Sequence, residues 1–381
     1  MKKSVLPFVL TSMLFLATNA FLIAQNSPES TDKPAHDQYP SSSKWNDDLS
    51  ITGQWFLSYL AGEKKGTEFN QFDLKRGYIN IRKKFSQKIS VRMTPDISVD
   101  REGDGEGDIE MRLKYCYLKY SLPNLSFFTT PYLEFGLVHR PWIDFEQEIN
   151  RYRVQGTMFL ERIGMVNSGD YGVTFISDLG GTLSDELINV INSPHTGKWG
   201  SFAIGLYNGG GYHGLEKNMN KTLETRVSVR PLSQFFPYLQ LSYYGAYGKG
   251  NTEAAPDWVL NCGFISLEQK NAILTAMYSQ GRGNYTGTLL NNQDESMKHS
   301  GYSLYTEILF LNRKFSIIGR YDYNDLNPLS ANNPYSQRYI AGLAYHFSEG
   351  CKILIDYDNV CFQHIDEPNE KVFEFAVELR Y

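Results

Sequence analysis

The sequence predicts an all-β chain that closes into a transmembrane antiparallel β-barrel of about sixteen strands, with short periplasmic turns and long extracellular loops. Three observations carry this: segments of about ten residues in which apolar and polar side chains alternate, connections that alternate between short and long, and a last strand that ends on an aromatic residue. After the N-terminal residues no run of about 18 apolar residues occurs, so any membrane crossing must be made by strands. With 26 Tyr, 23 Phe and 32 Gly, the composition suits strands, interfacial aromatics and turns rather than helices.

At the N-terminus Lys2 and Lys3 precede an apolar run from Val5 to Ile23 and a short-side-chain exit at Ala24-Gln25. This reads as a secretory signal peptide over 1–24 and implies export to the outer membrane of a Gram-negative bacterium. An uncleaved anchor is the alternative, but the basic flank is brief, Pro7 interrupts the run, and the chain turns polar at once. Residues 25–46, rich in Ser, Pro and Asp, read as a flexible periplasmic segment, and 47–381 as the barrel. Losing Lys2 and Lys3 takes the formal charge from -5 to -7, which excludes a nucleic-acid binder.

In order, strands are expected near 48–60, 71–84, 87–99, 108–121, 130–140, 169–180, 199–208, 222–231, 236–247, 257–268, 271–281, 300–311, 314–325, 337–347, 350–361 and 371–381. In the fourth, Ile109, Met111, Leu113, Tyr115 and Tyr117 share one face, and Glu110, Arg112, Lys114 and Cys116 the other. The last sets Phe373, Phe375, Val377, Leu379 and Tyr381 against Glu374, Glu378 and Arg380. Short turns are expected at 85–88, 121–130, 231–237, 268–271, 312–314 and 348–350, with long polar loops between them. Residues 181–198 break that rhythm; if they hide further strand, the count becomes eighteen. A secreted β-sandwich shares the alternation, but there the apolar face is a packed core. A barrel turns that face to lipid, where one mid-depth Arg costs roughly 2 to 4 kcal/mol, so the strict parity of charges favours the barrel.

The longest connection, about 139–169, runs His139-Arg140-Pro141-Trp142-Ile143-Asp144-Phe145-Glu146, then Ile149-Asn150-Arg151-Tyr152-Arg153, then Glu161-Arg162. Together with 72–80, Met93-Thr94-Pro95-Asp96 and Gly169-Asp170-Tyr171-Gly172-Val173, it resembles the phosphate-selective porin O and P family in its Bacteroidetes-type version. The resemblance spans roughly 45–381. It implies a homotrimeric sixteen-stranded porin whose third outer loop folds inward, and phosphate or another anion as solute. The terminal strand looks like the signal read by the barrel-assembly machinery.

The expected pore-lining residues are Arg76, Arg82, Arg92, Arg112 and Lys114 on the second to fourth strands, Arg140, Arg151, Arg153 and Arg162 in the inward loop, and Arg226 and Arg230 on the eighth strand. Asp144, Glu146, Glu148 and Glu161 would face the loop arginines across a throat; salt bridges pinning the loop to the wall are the alternative reading. By parity the strands turn Arg76, Arg82, Arg92, Arg112, Lys114, Arg226, Arg230, Arg320, Arg338, Lys352 and Arg380 into the lumen against Asp96, Glu110, Glu134, Glu224, Glu307, Asp322, Asp356, Asp358, Glu374 and Glu378, so eleven basic positions nearly balance ten acidic ones. The five residues of the second to fourth strands could still form a basic stripe that guides anions.

Residues 100–108 form an acidic outer turn without EF-hand spacing, and Asn208-Gly209-Gly210-Gly211-Tyr212 reads as a flexible outer loop. The seven histidines form no HExxH, no GxSxG elbow occurs, and the four cysteines have no CxxC spacing, so they read mostly as free thiols. The expectation is a non-enzymatic channel for small hydrophilic solutes, without cofactor or metal, in contact with outer-membrane lipid and with a mild preference for anions. A barrel used mainly as receptor, adhesin or rim enzyme is the alternative, and a soluble secreted β-protein the third.

Overall fold

In the computed structural model, residues 48–101, 103–326, 334–365 and 367–381 are described; the expected signal peptide and N-terminal segment lie outside them. Sixteen antiparallel strands form one closed barrel: β1 Leu49–Lys64, β2 Thr67–Lys84, β3 Ile89–Val99, β4 Ile109–Ser121, β5 Phe128–His139, β6 Gly169–Leu179, β7 Gly200–Tyr207 and β8 Thr222–Val229. The second half comprises β9 Leu239–Lys249, β10 Asp257–Gln269, β11 Ala272–Arg282, β12 Lys298–Phe310, β13 Phe315–Leu326, β14 Tyr335–Ser348, β15 Cys351–Gln363 and β16 Glu370–Arg380. Among the described residues three short α-helices interrupt them, α1 Ile143–Asn150 and α2 Phe159–Arg162 between β5 and β6 and α3 Asp185–Ile188 between β6 and β7, with one 3-10 turn at Gly103–Gly105 between β3 and β4.

Each strand pairs with its sequence neighbour, and β1 pairs with β16, which removes both free sheet edges. At the seam Gly53 and Tyr381 exchange backbone hydrogen bonds of 2.9 and 3.1 Å. The Tyr381 ring lies over Gly53 so closely that a Cβ there would stand 2.2 Å from it, so glycine is needed for the terminal aromatic to seat.

Outward-facing residues are apolar and exposed, among them Met111, Phe135, Ile204, Leu223, Ile265, Ile317, Leu343 and Phe375. Aromatics border this band at both rims. Near the short turns Phe310 stacks on Phe315 at 5.9 Å; near the long loops Tyr302 stacks on Tyr323 at 5.0 Å. An apolar band with aromatic girdles matches a lipid bilayer and its two interfaces. The buried core, by contrast, sits inside the barrel.

The structure departs from the sequence reading in three places. The first outer connection is a two-residue turn at Lys65 (φ 51°) and Gly66 (φ 74°), because β1 and β2 extend well beyond the expected ends as a hairpin. Residues 180–199, by contrast, agree with the expected sixteen strands: they hold α3 and no further strand, which closes the alternative of eighteen. In β4 one extra residue, Lys114, opposes the gap between Thr94 and Pro95, which pair with Tyr115 and Leu113. This bulge inverts the parity beyond it: Tyr115 and Tyr117 are buried on the lumen side with Lys119, while Cys116 is exposed on the outer face. A second bulge, at Lys75 between Phe56 and Leu57, turns that lysine inward as well.

Candidate functional site

Residues 140–168 leave β5, cross the lumen and return to β6. Trp142, Ile143, Phe145 and Ile149 lie on or beside α1 and are almost completely buried. Trp142 stacks on Tyr244 of β9 at 5.4 Å and meets Phe264 of β10 edge-on at 5.3 Å. Farther on, Phe159 of α2 fits against Gly301 of β12, where a Cβ would stand 2.7 Å from the ring. Each such side chain contributes about 2 kcal/mol on burial, so these contacts hold the loop against the inner surface of β9, β10 and β12. The loop leans on that half of the barrel and leaves the other half open.

Ion pairs fix the loop at intervals. Arg140, 1% exposed, binds Asp170 at 2.9 Å and Glu224 at 3.2 Å. Arg151, in left-handed conformation at the end of α1, binds Glu307 at 2.9 Å, and Tyr152 donates to the same carboxylate. Lys75 donates to the carbonyls of Val154 and Gln155 and pairs with Glu374 at 2.7 Å. Arg162 reaches Asp322 at 3.4 Å. Three of the expected throat arginines, Arg140, Arg151 and Arg162, are therefore loop anchors rather than free lining. Arg226 likewise bonds the Pro141 carbonyl, Ser201 and Ser228 and lies 4.2 Å over the Phe145 ring; Arg230 bonds the carbonyls of Pro237 and His195. Lys75 was missed from sequence because regular alternation assigns it to the outer face.

On the open side a cavity of about 920 Å³ runs from the short-turn rim to the loop. Nine basic side chains line it: Arg82, Lys84, Arg92, Lys114, Lys119, Arg140, Arg153, Arg226 and Arg380. Five carboxylates do: Asp48, Glu134, Asp144, Glu148 and Asp178. Setting aside Arg140 and Arg226, which lie flush in the wall, the basic excess remains. Many lumen acids (Glu307, Asp322, Glu374) instead sit beneath the loop, neutralised by its anchors. A near balance of charges along the sequence thus becomes a segregated one in space.

Cation and aromatic alternate along the open wall. The Lys114 ammonium lies 4.6 Å from the Tyr78 ring centre, Arg92 4.9 Å from Tyr115, and Lys119 3.5 Å from Tyr132. Lys114 is 4% exposed, forms no hydrogen bond among the described residues, and lines the cavity. Arg153 adds a loop cation whose nearest carboxylate, Glu161, is 4.0 Å away. His139 sits between Glu134 at 3.0 Å and Asp144 at 2.9 Å. Burial would raise the Asp144 carboxyl, but His139, Lys114 and Arg92 together outweigh it and hold the group below the usual carboxylate range. Glu146 has no such partner: burial pushes it up to about 7 although Trp142 donates to it.

Two further segments enter the lumen, and neither was expected to. From the short-turn side 180–199 tucks inward: the His195 ring stacks 6.2 Å from Phe145, and Asn192 donates to the Ile149 carbonyl. From the long-loop side the glycine-rich 208–214, read from sequence as a flexible outer loop, folds in. Gly209 there binds Asp170 through its N–H and Arg140 through its carbonyl, at 2.7 and 3.1 Å. Tyr212 then donates to Asp96, which also holds Arg76 at 2.8 Å. Arg112, paired with Glu110, has its guanidinium 3.4 Å from His213, a ring that burial and Arg112 push down to about 4.

Solved structures of outer-membrane proteins share this fold. The anion-selective porin from Comamonas acidovorans superposes with a TM-score of 0.61 at 9% identity, covering 87% of this chain and 99% of that one. OmpF of Salmonella typhi, solved in complex with daunomycin, gives 0.57 at 13% identity over 87% and 97%. The outer-membrane channel DcaP of Acinetobacter baumannii gives 0.54 at 10% identity over 89% and 98%. No protein-family model and no curated protein sequence matches the chain.

Proposed function

We propose that the barrel is a passive outer-membrane channel for small hydrophilic solutes with a mild preference for anions such as phosphate, and that it catalyses no reaction. One observation carries this reading: the loop covers the acidic half of the lumen and leaves a cavity in which basic side chains outnumber carboxylates. In a confined path with low-dielectric walls that excess raises the local anion concentration. Lys114, held against the Tyr78 ring, adds one of the cavity's cations on that wall. The porin folds above support the channel, and the motif resemblance supports phosphate as a candidate solute and a homotrimer as the assembly. Export by the N-terminal signal and insertion through the C-terminal strand complete the proposal.

The test is a planar-bilayer recording of the purified protein under a salt gradient. The expected result is a steady ohmic conductance with a reversal potential of anionic sign, and a lower chloride current when phosphate is added. A folded protein without unit conductance overturns the channel reading; a cationic reversal potential overturns the anion preference.

A further inference from the structure

The cavity ends abruptly on its outer side. Its lining stops at Tyr78 on β2, Thr94 on β3 and Lys114 on β4. The next lumen-facing residues outward on those strands are Arg76, Asp96 and Arg112, one pleat beyond. These are the residues that the inward segment between β7 and β8 reaches: Tyr212 donates to Asp96 at 3.3 Å, and His213, its ring centre 3.6 Å from that of Tyr212, meets Arg112.

The segment is built to hold that position. Gly209 (φ 116°) and Gly211 (φ 81°) adopt left-handed conformations that other residues rarely accept, and a Cβ on Gly211 would stand 3.0 Å from the Asn167 side chain. Its base is tied to Arg140 and Asp170, the pair that also anchors the loop between β5 and β6. Its far end is tied by Asn218, which donates to the carbonyls of Gly250 and Thr252 at 3.0 Å.

We propose that Tyr212 is a size-limiting residue of the channel, latched by Asp96, and that its segment narrows the outer end of the cavity together with the loop between β5 and β6. The inference rests on the channel reading given above. A phenol ring held across the outer end of a basic cavity limits solutes by size without adding charge, so width and charge preference reside in different residues.

The test compares unit conductance and the poly(ethylene glycol) exclusion limit of wild type, Tyr212→Ala and Tyr212→Trp in planar bilayers, after a heat-modifiability gel shows that each is folded. Conductance should rise by roughly a third or more in Tyr212→Ala, with entry of larger polymers, because the narrowest section dominates pore resistance. Tyr212→Trp should lower both, and it decides the matter if the alanine variant does not assemble. The reversal potential should stay that of wild type in either variant. Unchanged conductance and exclusion limit in the folded variants overturn the inference. A wild type that never conducts while Tyr212→Ala does would uphold it, whereas silence in all three would count against the channel reading instead.

Discussion

Arg82 and Arg92 stand directly opposite each other in the β2–β3 ladder, and both enter the same cavity. Like charges in register destabilise a sheet, so the pair carries a cost that neighbouring groups must offset. Arg92 donates to Asn80 at 2.7 Å and Thr94 at 2.9 Å, meets the His139 ring nitrogen at 2.9 Å and lies over the Tyr115 ring, contacts that fix its guanidinium in the wall. The pair contributes positive charge to the local field where solutes would pass.

Reversing that field should reverse the preference. In the double variant Arg82→Glu/Lys114→Glu, the anion-to-cation permeability ratio should fall by roughly threefold or more, read from reversal potentials at low salt where screening is weak. An unchanged ratio would remove the open wall from the account of selectivity.

Arg140 should matter for stability more than for charge. Its replacement by alanine leaves Asp170 and Glu224, both at most 1% exposed, without their cation, which costs about 3–5 kcal/mol. The temperature at which the folded gel band disappears should fall markedly. Lys249→Ala, which removes an exposed partner of Asp257, should leave it in place.

Glu146 gives the loop a pH dependence of known sign. Its folded pKa, about 7, lies above the ordinary 4.5, so the buried site favours the protonated form. The contribution is fully present below about 4.5 and is lost as pH rises through about 7. Arg320 and Arg162 moderate the shift, and Asp322 adds to it. Relative to Glu146→Gln, wild type should lose thermal stability between pH 5 and pH 8; parallel curves for the two proteins would refute the assignment.

Gly301 tests how the loop docks. A Cβ there would stand 2.7 Å from the Phe159 ring and 2.6 Å from the Tyr323 carbonyl, so α2 should lift from β12 and the β12–β13 ladder should give locally. A folded Gly301→Val barrel with markedly noisier open-channel current is the expected outcome. A current as quiet as wild type would mean that Phe159 does not hold the loop.

Much of the barrel is legible in the sequence because two of its rules are local. Alternation follows from the strand repeat, and short turns follow from Gly, Asn and Pro between strands, so Lys371 to Tyr381 can be read one residue at a time. Long-range effects are not local in this sense. The bulges at Lys75 and Lys114 depend on how neighbouring strands slip past each other, and nothing in either strand's own pattern marks the extra residue. The same holds for the inward arginines. Arg140, Arg153 and Arg226 are chemically alike in the sequence, and only the fold gives the first two buried carboxylates, the second a cavity and a distant one, and the third none among its bonded partners. The glycines of 208–214 permit a loop to turn without stating in which direction.

The extra residue at Lys114 makes β4 a strand of two phases joined by one surplus position. Deleting Lys114 would place Tyr115 directly after Leu113, opposite Thr94 and Pro95, and leave both halves in their present phase. Met111 and Leu113 would still face outward and Lys119 the lumen, while the cation over the Tyr78 ring would be gone. The surplus residue therefore adds a charge to the cavity without changing the register on either side of it. Among homologous chains the stretch from Ile109 to Ser121 should thus be able to shorten by one residue at this position, with loss of the inward lysine.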